Sequence, residues 1–239
     1  MLWFKIFWKK ICRAINAFKQ EEVPEFSSLK QNISRDKLKR NSRILFIDDE
    51  KIELVEDLKK EGFSADQDFT GNDSLVNIER GMFDLVILDF KGVGKKYGGD
   101  DGLSLLRSIK RVNPSLYVLA YTSQNLSPAQ SSEFYTLCDG TLIKDIGVAD
   151  SVQRIEDALR AAAEPKRIWH GILKSMGIEE NSDRAKELEK KIMKAILNNK
   201  KEEALACLGE EKLGFDGSLI SSLIEKLISF GFDRLVNKP

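Results

Sequence analysis

The sequence predicts an α/β fold, a doubly wound parallel sheet of five strands followed by a separate all-α region. Short continuous apolar runs, "ILFID", "DLVILDF", "LYVLAYTS" and "GTLIKD", recur through the middle of the 239-residue chain. Amphipathic stretches separate them, the pattern of strands covered on both faces by crossover helices. Beyond Pro165 the strand texture stops and only helical periodicity continues.

Taken in order, the chain starts with "MLWFKIFWKKICRAINAFKQ". Phe4, Phe7, Trp8, Ile11, Ile15 and Phe18 share one helical face, with Lys5, Lys9 and Arg13 opposite. Two Trp, three Phe and five cations without an acid describe a helix lying in the plane of an anionic membrane surface. Residues 1–20 are thus expected to form a basic amphipathic helix. Residues 21–42, with Pro24 and a serine pair, read as a linker with a short helix near its end. "ILFID" opens the sheet, and "KIELVEDLKKEGF" is a helix with Ile52, Leu54, Val55 and Leu58 inward and Gly62 past its end. "SADQDF" is the weakest strand and is placed at an edge. "GNDSLVNIERG", "GLSLLRSIKRV", "SPAQSSEFYTLC" and "VADSVQRIEDALRAAA" supply the other crossover helices, closing a unit over residues 43–163. The tail, 165–239, divides into four helices, the last apolar enough to be buried against its neighbours or in a homodimer.

Net charge is zero but unevenly spread. Lys and Arg outnumber Asp and Glu by 10 to 4 in residues 1–40, trail by 14 to 22 in 41–164, and stand at 14 to 12 in 165–239. The acidic middle and the nearly neutral tail disfavour DNA as a partner. Cys12, Cys138 and Cys207 lack disulfide or zinc spacing, so a reducing cytoplasm is expected, with peripheral attachment at the inner face of the membrane through residues 1–20. No apolar run approaches the roughly 20 residues that span a bilayer.

The residues closing each strand converge on one chemistry. They are Asp48 and Asp49, Asp89, Thr122 and Lys144, and doubly wound sheets bind ligands at this rim. Gathered carboxylates repel unless a cation intervenes, and an all-oxygen set with few protein ligands suits Mg²⁺. A carboxylate can also attack phosphorus, with a metal, an amine and a hydroxyl neutralising the phosphoryl oxygens.

With "DD" after the first strand, Asp at the end of "LVILD", Thr in "VLAYTS" and Lys in "LIKD", residues 43–163 resemble the receiver domain of two-component response regulators. The resemblance covers about half of the chain. It implies a flavodoxin-like sheet of order 2-1-3-4-5. It also implies Asp89 as phosphoacceptor, Asp49 as a direct Mg²⁺ ligand, Asp48 binding the metal largely through water, and the Lys91 backbone carbonyl completing the set. Lys144 would pair with the phosphoryl group and Thr122 would hydrogen-bond it. The partner implied is a separate histidine kinase or phosphotransfer protein. The chain itself is not expected to be an enzyme beyond assisting its own phosphorylation and dephosphorylation.

The chain departs from the family at three places. "FKGVGKKYGGDD" between Asp89 and Gly102 is longer than usual and lacks its proline, suggesting a glycine-rich lid with Lys95 and Lys96 near the phosphate. Asp145 follows Lys144 where a proline is common. Thr141 stands where an aromatic switch residue is common, so the usual Thr-to-aromatic coupling is not carried over. The sole histidine, His170, is expected to be a half-buried helical residue. The leading expectation is a phosphorylated signalling protein whose state controls binding by the helical tail or the basic N-terminus. Rival readings are a phosphorylation-independent adaptor, a DNA-binding regulator, and an effector acting on membranes through residues 1–20.

Overall fold

The computed structural model describes residues 23–29, 33–98, 102–123, 128–198, 200–209 and 217–231. The predicted helix over 1–20 lies outside them. Five strands, β1 (Arg43–Ile47), β2 (Ser64–Asp68), β3 (Leu85–Asp89), β4 (Tyr117–Thr122) and β5 (Gly140–Ile143), form one parallel sheet in the order β2-β1-β3-β4-β5. "SADQDF" thus lies at an edge, as expected. The crossovers carry α2 (Glu53–Lys60), α3 (Leu75–Glu79), α4 (Gly102–Val112) and α5 (Pro128–Leu137), and α6 (Val148–Ala162) follows β5.

Strand alternation divides the core in two. Ile44, Phe46, Leu85, Ile87, Leu119, Tyr121 and Leu142 pack under α2 and α6. Leu45, Ile47, Val86, Leu88, Val118 and Ala120 point the other way, against Ile78 of α3, Leu105, Leu106 and Ile109 of α4, and Phe134 of α5. Successive side chains of a strand face opposite sides, so a strand buried on both must read as a continuous apolar run. Each such Val, Leu, Ile or Phe side chain contributes about 1.5–3 kcal/mol by leaving water.

Among its described residues the tail comprises α7 (Pro165–Ser175), α8 (Asp183–Leu197), α9 (Lys201–Gly209) and α10 (Gly217–Gly231), the four helices expected. Trp169, Ile172, Ile192, Met193, Leu208, Leu223 and Ile224 belong to a core of their own. The apolar face of α10 is therefore covered from within the chain. His170 is exposed rather than half-buried, on the outer side of α7, with Nδ1 3.0 Å from Glu180 Oε2.

The segment read as a linker is folded over its described residues. Phe26 joins the tail core, 5.3 Å from the Trp169 ring, and its N–H donates to Glu189 Oε1 at 2.7 Å. Farther on, α1 (Arg35–Asn41) buries Leu38 against the sheet domain, and Arg35 pairs with Glu156 of α6. Of three widely spaced apolar residues, Phe26 enters the tail core while Ile33 and Leu38 enter that of the sheet domain, which no local periodicity can express.

The tail docks on the strands' amino-terminal rim. Arg167 of α7 donates to Asp139, just ahead of β5, at 2.9 Å and stacks 4.6 Å from the Tyr117 ring at the start of β4. Asp139 also accepts from Lys110 at 2.6 Å and from the Val118 N–H at 2.9 Å. Burial pushes the Lys110 amine below its ordinary value, and Asp139 opposes this. From α10, Ser222 donates to the Gly81 carbonyl at 2.8 Å and Lys226 pairs with Asp84 at 3.0 Å.

Gly171 allows α7 to lie against the loop before β4, because a Cβ there would sit 2.2 Å from Ser115 Cβ. Gly171→Ala is expected to lower stability by about 1–3 kcal/mol through overpacking, read as the midpoint of urea unfolding. Gly147→Ala, whose Cβ would meet nothing within 4 Å, is expected to keep the unfolding free energy within about 0.5 kcal/mol of the parent's in the same measurement.

Candidate functional site

The opposite rim gathers the acids. Asp48 follows β1 directly and Asp89 ends β3, and the β1–β3 register pairs Ile47 with Leu88, so the two carboxylates leave adjacent strands side by side. Oxygens of Asp48, Asp49 and Asp89 lie within 4.8 Å of one another. Asp48 is fully buried, Asp89 nearly so, and Asp49 is exposed. Glu50 turns its N–H back onto Asp48 Oδ1 at 2.9 Å, and α2 starts three residues later.

Lys144 supplies the local counter-charge. Its Nζ stands 2.7 Å from Asp48 Oδ2 and 3.3 Å from Asp89 Oδ2, a reach made without a proline at position 145. Burial tends to lower the Lys144 amine, but the two carboxylates outweigh it and the net shift is upward. For Asp89, burial first and then the charge of Asp48 raise the carboxyl above its ordinary range, against Lys144 and the Phe90 N–H. One amine does not neutralise three acids at this spacing, and the oxygen-only donors fit a small hard dication. Both Asp48 oxygens already hold hydrogen bonds, which suits a ligand that meets the metal through water, whereas Asp49 faces solvent.

Thr122 ends β4 one residue past Tyr121, the register partner of Asp89, and its carbonyl accepts from the Lys144 N–H at 2.8 Å. Lys91 lies two residues beyond Asp89 on an exposed turn. The described part of the loop expected to act as a lid, residues 90–98, contains a 3-10 turn at Lys95–Tyr97. Gly94 N–H donates to the Thr70 carbonyl at 2.9 Å, and Tyr97 donates to the Asn72 carbonyl at 3.4 Å. Asp68 holds the other side, accepting from the backbone N–H groups of Thr70, Gly71 and Ser74 and from the Ser74 hydroxyl. Burial pushes the Asp68 carboxyl up, but these hydrogen bonds bring it below its ordinary value. Lys95 lines a groove with Asp49, Phe69, Thr70 and Gly92. Lys96 is exposed outside it.

Four residues that no motif announced also shape the site. Gly92, at φ +78°, lies so close that a Cβ would be 2.1 Å from an Asp49 carboxylate oxygen. A Cβ at Gly102 would be 2.4 Å from the Asp89 carbonyl oxygen. Tyr135 of α5 hydrogen-bonds the Thr122 hydroxyl, and Asp68 braces the neighbouring loop. Glycines in a loop beside a strand-end acid were the only sequence signal, and it did not say which ones mattered.

The fold is a doubly wound, flavodoxin-like parallel domain with an acidic rim, joined to a helical tail. Neither a protein-family model nor a curated protein matches the chain. Among solved structures, a CheY-like response regulator receiver domain from Methanospirillum hungatei JF-1 is 22% identical over 51% of this chain and 95% of its own, with a TM-score of 0.44. A two-component response regulator from Clostridium difficile gives 22%, 50%, 97% and 0.42 in the same order. The receiver domain of NtrX from Brucella abortus gives 24%, 48%, 97% and 0.42. The fold assignment rests on strand order and register.

The raised Asp89 carboxyl has a signed consequence. The folded chain holds that proton more tightly than the unfolded chain, so Asp89 favours folding below its ordinary range and loses this contribution as pH rises through its raised folded value. In metal-free buffer at pH 7, Asp89→Asn is expected to raise the urea midpoint, with the gain vanishing below about pH 4. Millimolar Mg²⁺ is expected to raise the midpoint of the parent and not of the variant.

Proposed function

We propose that this chain is a response-regulator-like signalling protein that accepts a phosphoryl group on Asp89. The observation that supports this best is the Asp48–Lys144–Asp89 bridge beside the exposed Asp49, a nucleophilic carboxylate with a cation in place and an oxygen-only metal site next to it. Asp49 would ligate Mg²⁺ directly, Asp48 through water, Asp89 through one oxygen, and Lys91 through its carbonyl. When bound, the ion supplies positive charge to the phosphoryl oxygens.

The chain's own residues do the rest. A carboxylate oxygen of Asp89 bonds to phosphorus as the P–N bond of a phosphoimidazole donor breaks. The departing nitrogen keeps the electron pair and takes a proton. Lys144, already 3.3 Å from Asp89, balances the phosphoryl charge, and the Thr122 hydroxyl donates to one of its oxygens. Burial of Asp48 and Asp89 keeps bulk water from screening these interactions.

The donor in this reading is a separate histidine kinase or phosphotransfer protein, because the sole histidine, His170, lies on α7 of the tail. The chain's chemistry is confined to its own phosphorylation and dephosphorylation. The tail grips the strands that carry Thr122 and Lys144 from their other ends, which supports output through the helical region. The cationic, aromatic composition of residues 1–20 supports attachment to anionic lipid. Among the described residues no helix is long and apolar enough to cross a membrane.

Acetyl phosphate with Mg²⁺ is expected to label the parent with hydroxylamine-sensitive phosphate and to leave Asp89→Ala unlabelled. Thr122→Ala is expected to slow labelling by roughly 100- to 1,000-fold, the range for removing one preorganised donor. An unlabelled parent would sink this reading in favour of an adaptor that works without phosphate.

A further inference from the structure

We infer that Tyr135 is a positioning residue for the phosphoryl group, acting through Thr122, and that it closes a ring of contacts from the nucleophile's own backbone. The inference rests on the reading of Asp89 as phosphoacceptor. Thr122 has one hydroxyl proton, and it is given to the Ser123 carbonyl at 2.9 Å. The Tyr135 hydroxyl lies 3.0 Å from Thr122 Oγ1, so it is Tyr135 that donates and Thr122 that accepts.

This arrangement prepares the hydroxyl in two ways. A hydroxyl that accepts a hydrogen bond becomes a stronger donor, by about 10–30% per bond in a chain of this kind. Tyr135 also holds the oxygen in place while its proton swings from Ser123 to a phosphoryl oxygen, so the reorientation needs no search by the side chain. In its absence the Thr122 oxygen would keep only the Ser123 partner, and that contact must be given up at the moment of transfer.

The tyrosine is itself held from the nucleophile's side. Its ring meets Phe134 edge-on with centroids 5.8 Å apart, and Phe134, fully buried, meets Phe90 edge-on at 5.1 Å. Phe90 directly follows Asp89, and its N–H donates to Asp89 Oδ1 at 2.8 Å. The path Asp89, Phe90, Phe134, Tyr135, Thr122 therefore joins the carboxylate to the hydroxyl through α5. Thr141, on β5, is exposed and takes no part in it. Spacing along the chain gave no hint, because Tyr135 is 13 residues beyond Thr122 and on a different element.

The test is a double-mutant cycle on the rate of Mg²⁺-dependent labelling by acetyl phosphate, with Tyr135→Phe, Thr122→Ala and the pair. Tyr135→Phe alone is expected to slow labelling about 2- to 10-fold, the range of one neutral hydrogen bond. In the Thr122→Ala background the same change is expected to have no further effect, and in the Thr122→Ser background, which keeps the hydroxyl, the effect is expected to return. Mg²⁺ affinity by calorimetry is expected to be equal in the parent and Tyr135→Phe. Multiplicative effects in the cycle, or a lower Mg²⁺ affinity in Tyr135→Phe, would mean a general structural role and overturn the inference alone. An unlabelled parent would overturn it together with the reading it rests on.

Discussion

The constraint on which the rest of the structure depends is the repulsion among three carboxylates held on one rim of a sheet. Asp48 is fully buried and Asp89 almost so, and burial makes unbalanced negative charge costly. Lys144 relieves part of it by reaching both acids from the end of the edge strand β5, across β4. For that, β1, β3 and β5 must end at the same level, and the parallel register sets that level. The continuous apolar runs hold the strands in place from both faces, so the hydrophobic core and the charge cluster are two consequences of one arrangement.

The two rims of the sheet carry different work. At the carboxyl ends are the acids, the lysine and the hydroxyl. At the amino ends, Asp139 gathers Lys110, Arg167 and the Val118 N–H, and the Arg167 guanidinium lies on Tyr117. The strands β4 and β5 are only six and four residues long, so the rim that holds Thr122 and Lys144 and the rim that holds the tail are ends of the same short, rigid pieces. A rearrangement at one end has little slack to be absorbed before the other. The segment 23–29 and α1 add a second tie, since Phe26 sits in the tail core and Leu38 in that of the sheet domain.

Much of the fold was legible because it is written in local period. Apolar strands, amphipathic crossovers and glycine stops are features of neighbouring residues, and so were the four helices of the tail. The acids, Thr122 and Lys144 were legible because each follows or ends an apolar run. The short helix near the end of the 21–42 segment was legible, but the burial of Phe26, Ile33 and Leu38 was not, because they are too far apart to make a pattern and Phe26 joins one core while Ile33 and Leu38 join another. The exposure of His170 was missed because helical spacing alone did not say which side of α7 would be covered.

By itself the sequence determined the order of elements, the sheet's two buried faces and the set of strand-end acids, hydroxyl and amine that share one rim. These depend on side-chain period and on strand ends, which the chain carries locally. Tertiary structure decided that Gly92 lies against Asp49, that Tyr135 donates to Thr122, and that Arg167 meets Asp139. Each of these joins residues from elements brought together only by the crossovers, and the helix-to-sheet distances that settle them are three-dimensional quantities with no counterpart in sequence spacing.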